Sequence, residues 1–230
     1  MTTSFKHTCL LVIFFCSLNV QVLCSESYYP DHAASKPRLH NLTISDTHQF
    51  VWFRVAKVGT RTIFNILANN EVPFSVNGYQ LPFSPEKYKK HFKFAFVRNP
   101  WDRVVSCYCN KVLTQGHKRF QECFGKGFDY FVGYINRQNL ATADAHIRLQ
   151  TALIPLDEVD FIGKLENFHD DLLYVMSMLG LQNVTIPHKN KTHHTHYSTY
   201  YNKKTRKIIA DKYRADIEAF GYQFESESGE

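Results

Sequence analysis

The sequence contains few of the features that mark disulfide-rich, repetitive or membrane-embedded proteins. Only 6 of its 230 residues are cysteine, and three of these fall within the first 24 residues, which excludes a small scaffold held together by disulfides. No internal repeat is present, so solenoid and propeller architectures are excluded. No apolar run reaches the ~20 residues that a membrane-spanning helix usually needs.

The composition favours a single globular domain. Hydrophobic residues make up 44% and charged residues 21% of the chain, which excludes an intrinsically disordered protein. The length of 230 residues suits one α/β domain, and the 19 Phe and 13 Tyr residues indicate a dense core around a sheet. The formal net charge of +6 favours anionic partners. Nucleic acid, an acidic polysaccharide and a nucleotide cofactor all fit that charge.

The amino-terminal residues predict a cellular address. Lys6 and His7 precede an apolar run over residues 9–15, a pattern typical of a secretory signal peptide or a short signal-anchor. Both alternatives place the remaining chain in the lumen of the secretory pathway. Three N-x-[ST] sequons agree with that address, and they begin at Asn41, Asn183 and Asn190.

The chain divides into four segments. Residues 1–24 are the signal segment, and the polar residues 25–48 are interpreted as a stem or linker. Residues 49–222 form the folded domain, and residues 223–230 form a disordered acidic tail.

Three cysteines, Cys107, Cys109 and Cys123, lie outside the signal segment. In an oxidising lumen two of them can pair, with Cys109–Cys123 as the candidate bridge, and free core thiols are the alternative. A zinc site at Cys107 and Cys109 is disfavoured, because the two residues of a ligand pair usually have two to four residues between them. A second pair is also missing from the sequence.

Strand and helix patterns alternate along residues 49–222. Strands are predicted over 49–55, 92–97 and 159–165, and helices over 62–68, 102–113, 128–137, 168–179 and 203–220. Residues 70–90 contain three prolines and are interpreted as irregular surface. The alternation indicates a parallel sheet with helices on both faces, and ligands of such sheets bind beyond the carboxyl ends of the strands.

The first strand-to-helix turn, residues 56–62 (AKVGTRT), has the composition of an anion-binding loop. Its glycine allows a tight turn, and Lys57 joins the free backbone N–H groups at the helix start in a cradle for phosphate. The lysine precedes the glycine, and no second glycine lies four residues upstream, so this is not a Walker A loop. Taken alone, an ordinary turn with a solvated lysine is the alternative.

The second strand-to-helix turn (FVRNPWDRVVS) pairs a cation with a hydroxyl. Asn99 predicts an N-cap, Pro100 fits the first helical position, and Asp102 completes a start that resembles a capping box. Arg98 stands at the end of the strand. Ser106 lies about two turns into the helix, on a face directed back toward that end. Arginine suits a phosphate monoester because it can donate two parallel hydrogen bonds.

The two turns together are more specific than either alone. Lys57 and Arg98 lie 41 residues apart and indicate a cofactor phosphorylated at two ends. KVGTRT and FVRNPWDRVVSCY resemble the 5′-phosphosulfate loop and the 3′-phosphate motif of sulfotransferases. They are most similar to the membrane-associated carbohydrate sulfotransferases, which include the chondroitin, dermatan and HNK-1 enzymes. The eight-residue offset from Arg98 to Ser106 matches the Arg–Ser pair of that family.

The resemblance covers roughly residues 50–222, because FIGKLEN and the terminal FGY block are also similar to family blocks. The sequence departs from the family at Ala56, where many relatives have proline, and at Arg61, a second cation in the loop. The stretch between the two motifs is short, so the acceptor is the least transferable inference.

The resemblance implies an α/β fold, the P-loop-like three-layer sulfotransferase fold with a central parallel sheet. It implies 3′-phosphoadenosine 5′-phosphosulfate (PAPS) as co-substrate, no metal, and a glycan acceptor in the Golgi lumen. No nucleic-acid partner is expected, and a membrane is contacted only through a signal-anchor. The residues expected to bind PAPS are Lys57, Val58, Gly59, Thr60, Arg61, Thr62, Arg98 and Ser106, with Lys57 also catalytic.

The general base is less constrained than the donor site. His146, within DAHIRLQ, resembles a histidine-containing block of the family and is the first choice, with a structural role as the alternative. Glu71 and Glu86 follow Lys57 at spacings where some sulfotransferases place a catalytic glutamate. His91 begins a strand and is expected at the edge opposite the site.

Two further clusters are interpreted mainly as solvated surface. Four histidines could bind a metal, but their spacing on a loop beside a sequon favours a solvated segment; they are His188, His193, His194 and His196. The basic side chains of the last helix either contact an acidic polysaccharide or face solvent; they are Lys203, Lys204, Arg206 and Lys207.

Three other functions share parts of this pattern. A tyrosine-protein sulfotransferase would use the same donor site. A nucleotide kinase is disfavoured by the lysine-first loop, the lumenal address and the lack of an obvious magnesium-binding acidic residue. A secreted glycan-binding protein without turnover is the non-enzymatic alternative, and the presence of Lys57, Arg98 and Ser106 argues against it.

Overall fold

The computed structural model describes residues 38–114, 118–182, 184–186 and 195–226. Within these residues the strands are β1 (Leu39–Ser45), β2 (Phe50–Phe53), β3 (Val76–Pro82), β4 (Phe92–Val97) and β5 (Phe161–Lys164). The α-helices are α1 (Thr60–Asn69), α2 (Pro100–Cys107), α3 (Gly127–Arg137), α4 (Gln150–Leu153), α5 (Phe168–Met178), α6 (Lys203–Lys212) and α7 (Arg214–Phe220). None of the helices in these ranges is long and apolar enough to cross a membrane.

The strands form one sheet in the order β3-β1-β2-β4-β5. β2, β4 and β5 run parallel, with Phe53 beside Ala95 and Val97 beside Lys164. β1 runs antiparallel to both of its neighbours. The predicted α/β fold is confirmed, as a mixed sheet in which β2, β4 and β5 are parallel and which helices flank. Parallel strands end on the same side, so the turns after β2, β4 and β5 meet there, at what we call the carboxyl edge.

The prediction that residues 25–48 form a stem is wrong for the part that forms β1. This strand is hydrogen-bonded on both sides, and its Leu42 and Ile44 side chains belong to the core. Its polar residues find distant partners, which a sequence pattern does not reveal. His40 Nδ1 lies 2.9 Å from the carbonyl oxygen of Leu153, and the Thr43 hydroxyl donates to Asn77 at 3.1 Å. The sequons at Asn183 and Asn190 lie outside the described residues.

The prediction of irregular surface over residues 70–90 is also wrong in part, because β3 lies there. β3 is an edge strand, and most of its side chains are exposed or half-buried. Such a strand lacks the apolar run of a central strand. Its last residue is Pro82, which an edge strand tolerates because a ladder N–H is not needed there.

Two hydrophobic clusters hold the domain together. One surrounds the sheet, and the other lies among α2, α3 and α6. β4 is buried along almost its whole length, as expected for a central parallel strand. On β5, a Cβ at Gly163 would lie 2.4 Å from Cε1 of Phe96, so the close approach of that ring requires glycine.

The predicted helix over residues 203–220 is two helices. Asn202 and Thr205 form a capping box that starts α6. Tyr213, with φ −106° and ψ 21°, separates α6 from α7. Its hydroxyl donates to the Ile147 carbonyl at 2.6 Å, and this buried contact holds the chain at the break.

The cysteines are free thiols at all three positions, Cys107, Cys109 and Cys123. The candidate Cys109–Cys123 bridge is therefore wrong, and the thiol alternative is confirmed. Burial raises the pKa of Cys107 to about 12, so this thiol stays protonated at neutral pH.

The prediction of a disordered tail is wrong for its first residues. The ring of Phe224 lies edge-on to Trp101, Tyr197 and Tyr201, with centroids 5.4–5.6 Å apart. The Glu225 N–H donates to the Tyr197 hydroxyl at 2.7 Å. Residues 227–230 lie outside the described part of the chain.

Candidate active site

The first anion-binding turn lies at the carboxyl edge, between β2 and α1. Lys57 and Gly59 adopt left-handed backbone conformations, with φ of 74° and 80°; a non-glycine residue adopts this only where its surroundings enforce it. The Thr60 hydroxyl donates to the Val55 carbonyl at 2.7 Å and closes the turn. α1 begins without a side-chain cap, so N–H groups at its start can meet an anion, except that of Thr62, which donates to the Gly59 carbonyl.

The second turn lies beside the first, between β4 and α2. The Asn99 side chain accepts the Trp101 N–H at 3.1 Å and caps α2, which confirms the predicted helix start. Nε and Nη2 of Arg98 each lie 2.8 Å from Oδ2 of Asp102. Nη1 of Arg98 donates to the Lys57 carbonyl at 3.2 Å. This last bond joins the two turns across 41 positions of sequence.

The Arg98 guanidinium is held in place and still has donors to offer. A guanidinium carries five N–H donors, and three of them point to Asp102 and the Lys57 carbonyl. Two donors are left once these bonds are counted. The ion pair with Asp102 fixes the plane of the guanidinium before any ligand arrives, which lowers the entropic cost of binding.

The surroundings of Lys57 lower the pKa of its ammonium group. Burial, the largest cause, lowers its pKa to about 8, and the cations of Arg98, Lys111 and Arg61 add to this shift. An anion bound at the turn would reverse these effects, because an opposite charge favours the protonated amine. The site therefore brings several cations together at one edge of the sheet.

A third segment of the chain is tied to the first turn by Arg103. This arginine of α2 is 1% exposed. Its Nε donates to the Ala56 carbonyl at 3.1 Å, and its two terminal nitrogens donate to the carbonyls of Arg148 and Ala145 at 2.8 and 2.9 Å. One buried side chain thus places the block around His146 beside the first turn.

His146 forms a carboxylate–imidazole pair within that block. Its Nδ1 lies 2.6 Å from Oδ1 of Asp144, which also accepts the His146 N–H at 3.0 Å. Arg119 lies 3.4 Å from the other carboxylate oxygen of Asp144. A carboxylate at Nδ1 favours the tautomer that carries its proton there, and Nε2 is then the basic nitrogen.

The other predicted binding residues occupy different environments. Val58 belongs to the hydrophobic core. Thr62 is buried, and its N–H donates to the Gly59 carbonyl at 2.9 Å, so these two residues shape the loop from behind. Arg61 is exposed at the start of α1. Ser106 is 2% exposed on α2, the helix that follows Arg98.

Both glutamate candidates for the base lie away from the turns, so those predictions are wrong. Glu71 follows the far end of α1, a helix of 10 residues that spans about 15 Å. Glu86 is exposed and precedes Lys87, which interacts with Asp46 near the opposite edge of the sheet. The predicted position of His91 is confirmed, since its Nε2 lies 3.1 Å from Asp46.

The end of β5 and the chain after α7 build a further wall of the site. Glu166 accepts the Asn99 N–H at 2.7 Å and the Tyr222 hydroxyl at 3.0 Å. The Asn99 side chain donates to the Gln223 carbonyl at 2.9 Å. The FIGKLEN and FGY blocks, which sequence analysis leaves without a role, therefore meet at the cap of α2.

The sequence pattern does not reveal Arg103, because α2 mixes polar and apolar residues. In the structure α2 is buried at seven of its eight residues. A charged residue within such a helix needs buried partners, and Arg103 finds them in three carbonyl groups.

The two surface clusters are described only in part. Of the histidine cluster, His196 alone lies in the described ranges, where its Nδ1 accepts the Ser198 N–H. No group of three or more His, Cys, Asp or Glu side chains in those ranges is placed to hold a metal ion. The four residues of the predicted basic cluster, Lys203, Lys204, Arg206 and Lys207, are exposed on α6, and Lys207 pairs with Asp211 at 2.6 Å.

Comparison with known proteins agrees with the family predicted from the sequence. The chain matches the model of the sulfotransferase family over residues 40–223. It belongs to that family. The match begins within β1 and encloses both anion-binding turns, the His146 block and the wall after α7, so the sulfotransferase region coincides with the described domain.

Among the relatives of this chain are three vertebrate carbohydrate sulfotransferases. Carbohydrate sulfotransferase 11 of Mus musculus is 25% identical over 189 residues, covering 62% of this chain and 54% of the mouse protein. Carbohydrate sulfotransferase 10 of Gallus gallus is 25% identical over 248 residues (83% and 69%), and carbohydrate sulfotransferase 14 of Danio rerio is 23% identical over 233 residues (81% and 63%). The chain spans about half the length of the mouse relative. The resemblance read from the motifs is confirmed as a family relationship.

Proposed function

We propose that this sulfotransferase moves a sulfuryl group from PAPS to a hydroxyl of a glycan. The observation that carries the proposal is the 3.2 Å bond between Arg98 and the Lys57 carbonyl, which makes two cation-bearing turns neighbours at one edge of the sheet. A nucleotide with phosphate at both the 3′ and 5′ positions needs two such adjacent anion sites. The carbohydrate sulfotransferases among the relatives support a glycan as acceptor.

The two ends of the donor are assigned to different turns. The 5′-phosphosulfate lies against the loop after β2 and the start of α1, where Lys57 and the backbone of Gly59, Thr60 and Arg61 hold it. Val58 and Thr62 support the loop from behind. The 3′-phosphate is bound by Arg98 and by Ser106, which lies on α2, the helix that follows Arg98. No metal is part of this assignment, because the cations and N–H groups of the chain supply the charge.

When bound, PAPS supplies the sulfuryl group. An oxygen of the acceptor forms a bond to sulfur as the bond between sulfur and the 5′-phosphate oxygen breaks, and the electron pair stays on that phosphate oxygen. Lys57 stabilises the charge that builds up there, which is the electrostatic task that protein cations perform in the related phosphoryl transfers. The hydroxyl proton goes to a base of the chain.

His146 is the proposed base. The Arg103 bonds place its block beside the loop, and Asp144 favours the tautomer with a basic Nε2. Asp144 also stabilises the imidazolium that forms when the proton is taken. We expect this pair to act only when an acceptor hydroxyl lies next to the bound sulfuryl group.

The acceptor is proposed to be a glycosaminoglycan or a glycoprotein carbohydrate in the Golgi lumen. The signal segment and the sequons support the compartment. The net charge of +6 and the exposed basic face of α6 support an acidic polysaccharide among these acceptors.

The first test is a thermal-shift titration of residues 25–230 with adenosine 3′,5′-bisphosphate, with ADP and ATP as controls. A ligand that binds the native state raises the melting temperature by mass action. We expect selective stabilisation by the bisphosphate, followed by transfer of labelled sulfate from PAPS to a panel of glycans. An equal shift with ATP, or no shift with the bisphosphate, would contradict the donor assignment. Donor binding without transfer to any glycan would favour a binding protein.

Donor binding is expected to weaken as pH rises through about 8. Burial lowers the pKa of Lys57 to about 8, so the ammonium that attracts the anion is present below this pH and lost above it. The dissociation constant for adenosine 3′,5′-bisphosphate should rise by up to about tenfold per pH unit above the pKa. Calorimetric titrations between about pH 7 and pH 9.5 measure this.

The matched variant for the pH experiment is Lys57→Arg, which keeps the charge at every pH used. Its profile should be nearly flat through this range, because a guanidinium does not lose its proton in proteins. The same loss of affinity in Lys57→Arg would assign the titration to another group.

A further inference from the structure

The backbone of Arg98 lies just beyond the last pairing of its strand. β4 and β5 pair as far as Val97 and Lys164, so Arg98 needs other partners. The side chain of Gln150 supplies both: its Oε1 accepts the Arg98 N–H at 3.0 Å, and its Nε2 donates to the Arg98 carbonyl at 2.9 Å. Gln150 is 0% exposed. Two bonds to one residue fix the peptide groups on both sides of it.

Gln150 is held in turn by a buried carboxylate of α7. Oδ2 of Asp216 accepts the Gln150 N–H at 2.9 Å, and Oδ1 accepts the N–H and the hydroxyl of Thr151, each at 2.9 Å. Asp216 is 0% exposed. Gln150 and Thr151 begin α4, which lacks a side-chain cap of its own, so a carboxylate 66 positions away acts as the cap. Charge-assisted bonds of this kind are the stronger ones.

The block that carries Gln150 is fixed on its other sides as well. Arg103 binds the carbonyls of Ala145 and Arg148, and Tyr213 binds the carbonyl of Ile147. The block therefore has little freedom to shift relative to α2 and α7. A rigid block can transmit the position of Asp216 to the backbone of Arg98.

We infer that Gln150 and Asp216 are positioning residues for the donor. Asp216 fixes Gln150, and Gln150 fixes the backbone from which the Arg98 guanidinium reaches the 3′-phosphate. Asp102 sets the plane of that guanidinium, whereas Gln150 sets the point from which the side chain starts. This inference rests on the proposed function, because it takes the 3′-phosphate as the ligand of Arg98.

The test compares two donors that differ by one group, in the full chain and without acceptor. PAPS carries the 3′-phosphate, and adenosine 5′-phosphosulfate lacks it. Gln150→Met keeps the approximate shape of the side chain and removes both bonds to Arg98. We expect its dissociation constant for PAPS to rise on the order of tenfold or more, since small misplacements of a binding group are costly. Its dissociation constant for adenosine 5′-phosphosulfate should change less than about twofold.

Two further variants distinguish a positioning role of Gln150 from a merely structural one. Asn202→Ala removes the capping bond of α6 and should lower the melting temperature while leaving the ratio of the two affinities unchanged. In an Arg98→Ala background, Gln150→Met should add nothing to the loss of PAPS affinity, because coupled residues are not additive. Equal losses for both donors in Gln150→Met, or an additive loss in the double variant, would overturn the inference.

Asp216→Asn serves if Gln150→Met does not fold. It keeps the size of the side chain and one oxygen acceptor, so a smaller but still selective loss of PAPS affinity is expected. An unchanged ratio in Asp216→Asn would count against the inference. If the unmodified chain binds neither donor, the proposed function and the inference fall together. If Arg98→Ala loses PAPS while Asp216→Asn and Gln150→Met keep the ratio, only the inference falls.

Discussion

Replacement of Arg98 by alanine is expected to raise the dissociation constant for PAPS about 30- to 5,000-fold, which corresponds to roughly 2–5 kcal/mol. The guanidinium is buried between Asp102 and the Lys57 carbonyl, and its contact with a phosphate would be shielded from water. Adenosine 5′-phosphosulfate should lose far less affinity, because it has no 3′-phosphate. Isothermal titration calorimetry with both donors measures the difference.

The control for this prediction is Arg137→Ala. Arg137 lies on α3 and pairs with Glu122 at 3.0 Å through an exposed side chain, so its loss removes the same charge from the surface. PAPS affinity should stay within about twofold of the unmodified chain, as expected for a screened surface charge. If Arg98→Ala lowered the affinity for both donors equally, the arginine would be maintaining the turn without binding the 3′-phosphate.

Replacement of Lys57 by glycine is expected to lower the rate of sulfuryl transfer about 10²- to 10³-fold at saturating PAPS. The ammonium is the group proposed to stabilise the leaving phosphate oxygen. Glycine suits this position better than alanine does, because the backbone φ is 74° and only glycine adopts such values without strain. Single-turnover assays with labelled PAPS measure the chemical step separately from product release.

Lys57→Ala separates charge from backbone strain. Both variants lose the ammonium, so their transfer rates should be similar, whereas Lys57→Ala should melt at a lower temperature than Lys57→Gly. Lys126→Ala removes a lysine that lies over the ring of Tyr130 on α3 and should transfer at the unmodified rate. A Lys57→Gly rate within a few-fold of normal would rule out a role for this lysine in the chemical step.

The parts of the fold that sequence predicts best are those in which local pattern and tertiary packing agree. β4 is an apolar run because a central parallel strand is buried on both faces. The two turns are recognisable because tight backbone and a helix start demand Gly59 and Asn99 at fixed places. The cations Lys57 and Arg98 at those turns then predict an anionic ligand without any knowledge of tertiary contacts.

The parts that sequence does not predict depend on distant partners. His40 and Thr43 make β1 look like a linker, yet their partners lie 113 and 34 positions away. Gln150 and Asp216 look like surface residues, because glutamine and aspartate are mostly exposed in proteins. Their burial follows from bonds that span 52 and 66 positions, which local periodicity does not contain.

The wide spacing of these bonds has a consequence for synthesis. A nascent chain emerges from its amino end at roughly 5–20 residues per second. The bonds between Arg98 and Gln150 can form only after Gln150 has been synthesised, and the bond between Gln150 and Asp216 only after Asp216 has been synthesised. Contacts between distant positions close slowly because loop entropy opposes them. The partner of the Asn99 side chain comes later still, at Gln223. Helices and turns that form locally therefore precede the proposed donor site, which is completed only after translation has passed the segment that follows α7.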